Sequence, residues 1–154
     1  MRRTRSPYAG GKGRILSIFG AVLAHCAAIM PVLRRVKVKF CRDADRAHEE
    51  KWRLFAHANH HPWTVCFARA ADLELSPCEV VGMSAHEIGH IVGDYLGLEA
   101  HRTMLGNGRR TPKAVQDEAD EVARKIFGIE IRYNSRTLQT APAETVARIL
   151  SRYL

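Results

Sequence analysis

The sequence predicts an α+β domain, and three observations carry that expectation. Segments with helix start and stop signals alternate with short runs rich in β-branched and aromatic residues. A chain of 154 residues with 46% hydrophobic residues suits one compact core. No period of 20–50 residues repeats, which argues against a solenoid or propeller.

Residues 1–14 are rich in Arg and Gly and are expected to lie outside the fold. Residues 15–33 (ILSIFGAVLAHCAAIMPVL) are apolar for about one bilayer span. Three readings stand: a signal or membrane anchor, an amphipathic helix, or a leader preceding a start at Met30. The second rests on a stripe of Ile15, Ile18, Phe19, Val22, Leu23, Cys26, Met30 and Leu33. His25, Pro31 and basic flanks on both sides argue against a spanning helix. Anchoring through residues 15–33 is kept as the alternative to a cytoplasmic protein. Residues 1–31 are therefore read as a dispensable basic, apolar arm, and residues 32–154 as the folded domain.

Within that domain, residues 35–40 alternate basic and apolar, the pattern of a half-buried strand. Asp43 is the expected cap of a helix reaching about Ala58. Residues 59–62 break it, and residues 63–68 (WTVCFA) read as a second strand, one that could pair with an extended peptide at a sheet edge. Ser76-Pro77-Cys78-Glu79 is a capping box with Pro at the first helical position, and Gly97 is the expected stop. Residues 98–110 read as a loop. Thr111-Pro112 opens a helix that Gly128 closes. Residues 129–133 alternate as a short strand, and Ala141-Pro142-Ala143-Glu144 opens a last helix.

The formal charge of +8 is unevenly placed. Residues 1–39 hold nine Lys or Arg and no acidic residue, leaving 15 basic against 16 acidic residues in the remainder. A nucleic-acid face on the body is not indicated. Phosphate or membrane contact would fall to the arm alone. The four cysteines, Cys26, Cys41, Cys66 and Cys78, form no C-x-x-C pair. They are read as reduced, mostly buried thiols rather than a thiolate zinc knuckle.

The segment His86-Glu87-Ile88-Gly89-His90 carries the chemistry. Histidines four apart on a helix share one face, a turn apart, where both imidazoles can hold one Zn2+. Glu87, between them, is placed to take a proton from a zinc-acidified water. A third ligand must come from elsewhere. His101 in the loop is one option, and the acidic helix over residues 112–127 is another. His57, His60 and His61 are read as helix-end and turn residues. Trp52, Trp63, Tyr95 and Tyr133 are read as packing residues, the tyrosines with a lesser option of stabilising an oxyanion.

The segment from HEIGH through Ala119-Asp120-Glu121-Val122-Ala123-Arg124-Lys125-Ile126-Phe127 resembles the ImmA/IrrE-type metallopeptidases, over roughly residues 80–130. The resemblance implies a small zincin-like domain, with a short mixed sheet packed on the HExxH helix and on a second metal-site helix. It implies a zinc metalloendopeptidase acting on a protein substrate such as a transcriptional repressor, in a bacterium, phage or mobile element. In that family a ligand Glu stands four residues before an Asn or Asp. Here that position is Gln116, and Asp120 matches the residue that supports a ligand His. Glu118 is the alternative third ligand, about 160° round the helix from Gln116. Because Gln116 is neutral, a catalytically inactive zincin-fold binding or regulatory protein is the second reading.

Overall fold

The fold is built around one helix, α4 (Pro77–Leu96). In this computed structural model, residues 12–49, 54–60, 62–103 and 111–154 are described. The expectations for residues 1–11, Trp52, His61 and the 104–110 part of the loop lie outside them. Ser76 caps α4 as its sequence implies. Its hydroxyl accepts from Glu79 N at 3.2 Å, and the Glu79 carboxylate accepts from Ser76 N at 2.9 Å. At the other end Gly97 adopts φ 64°, the left-handed cap. Nearly every residue from Glu79 to Gly93 is buried, so α4 must be covered on all sides.

One cover is α1 (Lys12–Ile29), followed by a 3-10 turn, Pro31–Arg35. Here the packing corrects the sequence reading. Ile15, Ile18, Phe19, Val22 and Cys26 are fully inaccessible and belong to the main core. The arm expected over residues 1–31 is therefore core from Ile15 onward, and the amphipathic-helix reading of residues 15–33 describes it. Phe19 meets Phe67 edge-on, with ring centroids 6.0 Å apart. Polar contacts fix the helix as well. Ile15 N donates to the buried Asp72 carboxylate at 3.0 Å, and His25 Nε2 donates to the Phe127 carbonyl at 2.8 Å. Among the described residues no helix is long and apolar enough to cross a membrane.

The sheet is small and mixed, as expected. Its strands β1 (Lys37–Phe40), β2 (Ala56–His60) and β3 (Trp63–Phe67) lie in the order β1-β3-β2. β1 runs parallel to β3, and β2 runs antiparallel to it. Two corrections follow. The helix expected from Asp43 to about Ala58 is described as α2 (Arg42–Glu49) and does not reach Ala58, because residues 56–60 pair with β3 through Ala56↔Phe67 to His60↔Trp63. That pairing satisfies backbone groups that local helix propensity would have used otherwise. And β3, the strand expected to offer an edge, is central; among the described residues β2 is the edge strand nearest α4.

The short helices α3 (Ala71–Glu74) and α5 (Glu99–Thr103) flank α4 in sequence, the latter replacing the start of the expected loop. Then α6 (Lys113–Phe127) packs along α4 and ends at Gly128, φ 67°. Only Arg132–Tyr133 of the strand expected over 129–133 forms β4. It pairs with β5 (Gln139–Thr140), which sequence reading did not anticipate. The hairpin lies across α4 so closely that a Cβ on Gly82 would stand 2.6 Å from the Thr140 backbone. Helix α7 (Ala143–Tyr153) closes the domain against α1, His25 meeting Tyr153 edge-on at 6.1 Å. The result is an α+β fold.

Truncation of Phe19 to Ala is expected to lower stability by about 3–5 kcal/mol, the usual cost of emptying a buried aromatic site. The shift of the urea midpoint measures it. Removing residues 1–29 is expected to abolish cooperative unfolding; a truncated chain with an unchanged midpoint would show that α1 is dispensable.

Candidate metal centre and active site

Three ligand-type atoms converge where α4 faces α6. His86 Nε2 lies 2.7 Å from Gln116 Oε1, His90 Nε2 lies 2.9 Å from the same oxygen, and the two Nε2 atoms are 3.0 Å apart. Spacing along α4 puts the imidazoles on one face. The approach of α6 supplies the third atom, and Gly89 permits that approach. A Cβ there would overlap the Ala119 carbonyl oxygen.

The far nitrogens are held from behind. His86 Nδ1 donates to Asp120 Oδ1 at 2.6 Å, and Asp120 Oδ2 accepts from the Tyr133 hydroxyl at 2.7 Å. His90 Nδ1 lies 2.9 Å from His101 Nε2, and His101 Nδ1 donates to Glu118 Oε1 at 2.7 Å. With its Nδ1 proton given to Glu118, His101 offers an Nε2 lone pair, so His90 Nδ1 is the donor in that contact. Both Nδ1 protons are thereby committed outward, and both Nε2 atoms face Gln116 Oε1 with lone pairs. Three acceptors around one point suit a positive charge between them.

One proton on His86 Nε2 would supply that charge to two of the three atoms. Burial pushes the His86 pKa down, but the hydrogen bond to Asp120 and the charges of Glu87 and Asp120 outweigh it, and the net shift is upward. His90 is pushed down to about 3, by burial first and then by His86. A charge on either ring thus disfavours a charge on the other. A divalent ion would satisfy all three atoms at once. Tetrahedral zinc ligands at ordinary bond lengths stand about 3.3 Å apart. The observed 2.7–3.0 Å triangle is a few tenths tighter, so the donor set fits zinc after a small outward swing of the side chains.

Glu87 lines the same cavity, of about 710 Å3, and is 8% exposed. Burial raises its pKa; the His86 charge opposes this and Asp120 adds to it. A raised carboxyl suits a group that must accept a proton and return it. The cavity runs between the β2 edge, with Ala56, Ala58 and His60, and the turn from Arg136 to Gln139. His60, read as a turn residue, ends β2 and stands 3.6 Å from Asp94.

Glu118 and His101 depart from their expected places, while Tyr95, Asp117 and Glu121 keep to theirs. Glu118, the alternative third ligand, is turned away from the convergence point. Its carboxylate accepts from Ala100 N at 3.1 Å and His101 N at 2.9 Å, as well as from the His101 ring. Burial raises its pKa, but the hydrogen bonds from His101 and Ala100 lower it further. His101 itself is buried in α5, not solvated in a loop, and it fits closely because Gly93 has no side chain: a Cβ there would meet its ring at 2.5 Å. Sequence reading missed its supporting role, although Gly93, one turn past Gly89, was a usable signal. Tyr133 spends its hydroxyl on Asp120, and Tyr95 packs edge-on against Trp63 at 5.3 Å. Asp117 and Glu121 face solvent in ion pairs with Lys113, Arg124 and Lys125.

A second cluster was not foreseen. Cys41, His57 and Cys66 bring one ligand atom each within 4.8 Å of one another and could hold a metal ion. Compared with protein-family models, with curated proteins and with solved structures, the chain gives no match.

Gly89→Ala is expected to force α4 and α6 apart. The cost should be about 1–3 kcal/mol of stability, read by denaturant unfolding, with a further loss of metal affinity. An alanine variant as stable as the parent would show that the helices are not held at this contact.

Proposed function

We propose that this chain is a zinc-dependent metallopeptidase of zincin-like architecture that hydrolyses peptide bonds of a protein substrate. The observation that carries the reading is the convergence of His86 Nε2, His90 Nε2 and Gln116 Oε1 beside Glu87, on a cavity bordered by a strand edge. The resemblance of HEIGH and the following Ala119-Asp120 segment to ImmA/IrrE-type enzymes supports it.

In this reading His86, His90 and Gln116 hold the ion, with Asp120 and His101 fixing the two rings. When bound, Zn2+ acidifies a water molecule and polarises a carbonyl. Glu87 takes the proton from the attacking water and delivers it to the leaving amine, which is why it must stand beside the ligands and not be one. The free edge of β2 can accept an extended peptide by backbone pairing, which would lay a scissile bond across the cavity. A repressor-type substrate, as the resemblance implies, would be met in the cytoplasm.

One observation favours a second reading. Gln116 supplies a neutral amide oxygen where a carboxylate would bind zinc more strongly, so the fold could serve as a catalytically inactive binding or regulatory protein.

Elemental analysis of the purified protein is expected to give one equivalent of zinc fewer in His86→Ala than in the parent chain. Equal metal content in both would remove the ion from this site. Glu87→Gln is expected to keep the metal and to lose cleavage of a peptide library followed by mass spectrometry. Cleavage that survives Glu87→Gln would refute the mechanism, and a metal-loaded parent chain that cleaves nothing would favour the binding protein. Gln116→Glu is expected to tighten zinc by tenfold or more in competition with a chelator, since charge-assisted contacts are roughly twice as strong as neutral ones; unchanged affinity would place Gln116 outside the metal shell.

A further inference from the structure

The opposite face of the small sheet carries its own donor set. Val65 and Phe67 of β3 point into the main core with α1 and α4, so strand alternation sends Cys66 to the other side. There it packs with Ala44, Ala68 and Cys41 in a separate small cluster. His57 of β2 is the direct register partner of Cys66. Cys41 follows β1 immediately and is tied to β3 by its N–H, which donates to the Phe67 carbonyl at 3.3 Å. Each of the three adjacent strands thus brings one residue to the same place.

The geometry is that of a ligand set. All three donor atoms lie within 4.8 Å of one another, and Cys41 Sγ is 3.7 Å from His57 Nε2. In tetrahedral zinc sites a sulfur and a nitrogen ligand stand about 3.6 Å apart. Both sulfurs also receive N–H donors. Ala44 N points at Cys41 Sγ at 3.3 Å, and Asn59 Nδ2 points at Cys66 Sγ at 3.7 Å. Such donors favour the thiolate over the thiol and fix the sulfur's direction. All four cysteines of the chain are free thiols.

We propose that Cys41, His57 and Cys66 form a second metal site, separate from the HEIGH centre, that takes a thiophilic cation of the Zn2+ class. Two thiolates and one imidazole are a soft set that selects zinc over magnesium or calcium. Two thiolates also neutralise a divalent ion, which allows the assembly to sit partly buried. A thiol must lose its proton to bind the ion, so binding at this site releases protons from sulfur. Cys41 and His57 are half-buried, giving the ion a route in and a fourth position for solvent. The bound ion would clamp β1, β2 and β3 together, and β2 forms the wall of the catalytic cavity.

Co2+ titration of the protein, reduced with a phosphine, tests this directly. Cobalt bound by sulfur gives an intense near-ultraviolet charge-transfer band, whereas an imidazole and amide site does not. The band is expected in the parent chain, is expected to persist in His86→Ala, and is expected to be halved or lost in Cys41→Ser. His57→Ala should weaken Co2+ binding at least tenfold, and circular dichroism confirms that each variant is folded. Absence of the band from the parent chain, or an unchanged band in Cys41→Ser, overturns the second site. Loss of metal at His86 with the band retained would leave this site standing whatever becomes of the peptidase reading.

Discussion

The close approach of α4 to α6 at Gly89 and Ala119 is the constraint on which the rest depends. Two helices carrying ordinary side chains pack at 8–10 Å, too far for a short amide on one to reach between imidazoles on the other. With no Cβ on Gly89 and only a methyl on Ala119, the backbones meet, and the Gln116 oxygen stands between the two Nε2 atoms. Asp120, one turn later, then falls behind His86. The same logic repeats one turn along α4, where Gly93 admits the ring of His101 behind His90. Small residues on α4 are therefore where the structure lets neighbours in.

Electrostatics sharpen what that contact creates. Each imidazole directs its outer N–H away from the centre, His86 donating to the Asp120 carboxylate and His90 to His101, which in turn donates to Glu118. The inner nitrogens are left facing each other and an amide oxygen, and the nearby Glu87 carboxylate has its pKa raised by burial. Buried acceptors without a shared positive charge are costly. The two rings, the amide and the outer carboxylates thus make sense as one assembly, and changing any outer member should be felt at the centre.

The three-stranded sheet has two faces with different work. One face presents Val65 and Phe67 to the core, together with the β2 wall of the cavity. The other gathers Cys41, His57 and Cys66. A strand of five residues serves both because neighbouring side chains point to opposite sides. A clamp on the sulfur face would stiffen the same β2 backbone whose free edge borders the cavity.

What the sequence by itself determined was local. The Ser76–Glu79 capping box, the left-handed stops at Gly97 and Gly128, and the one-turn spacing of His86 and His90 depend on residues within a few positions of one another. Gln116 and Asp120 were singled out by the resemblance to the ImmA/IrrE-type motif, and one turn of helix keeps them on one side. Tertiary structure alone decided the rest. An apolar run such as residues 15–29 looks alike whether it faces lipid or a protein core, and only the presence of α4 and α7 beside it makes it core. Ala56 to His60 became a strand because the next strand, β3, offered backbone partners, a pairing that outweighs Ala's helix preference. His101 and the Cys41–His57–Cys66 group bring together residues 9 to 25 positions apart, from separate elements. Contacts between such segments leave no spacing to read, because what sets them is register and packing rather than distance along the chain.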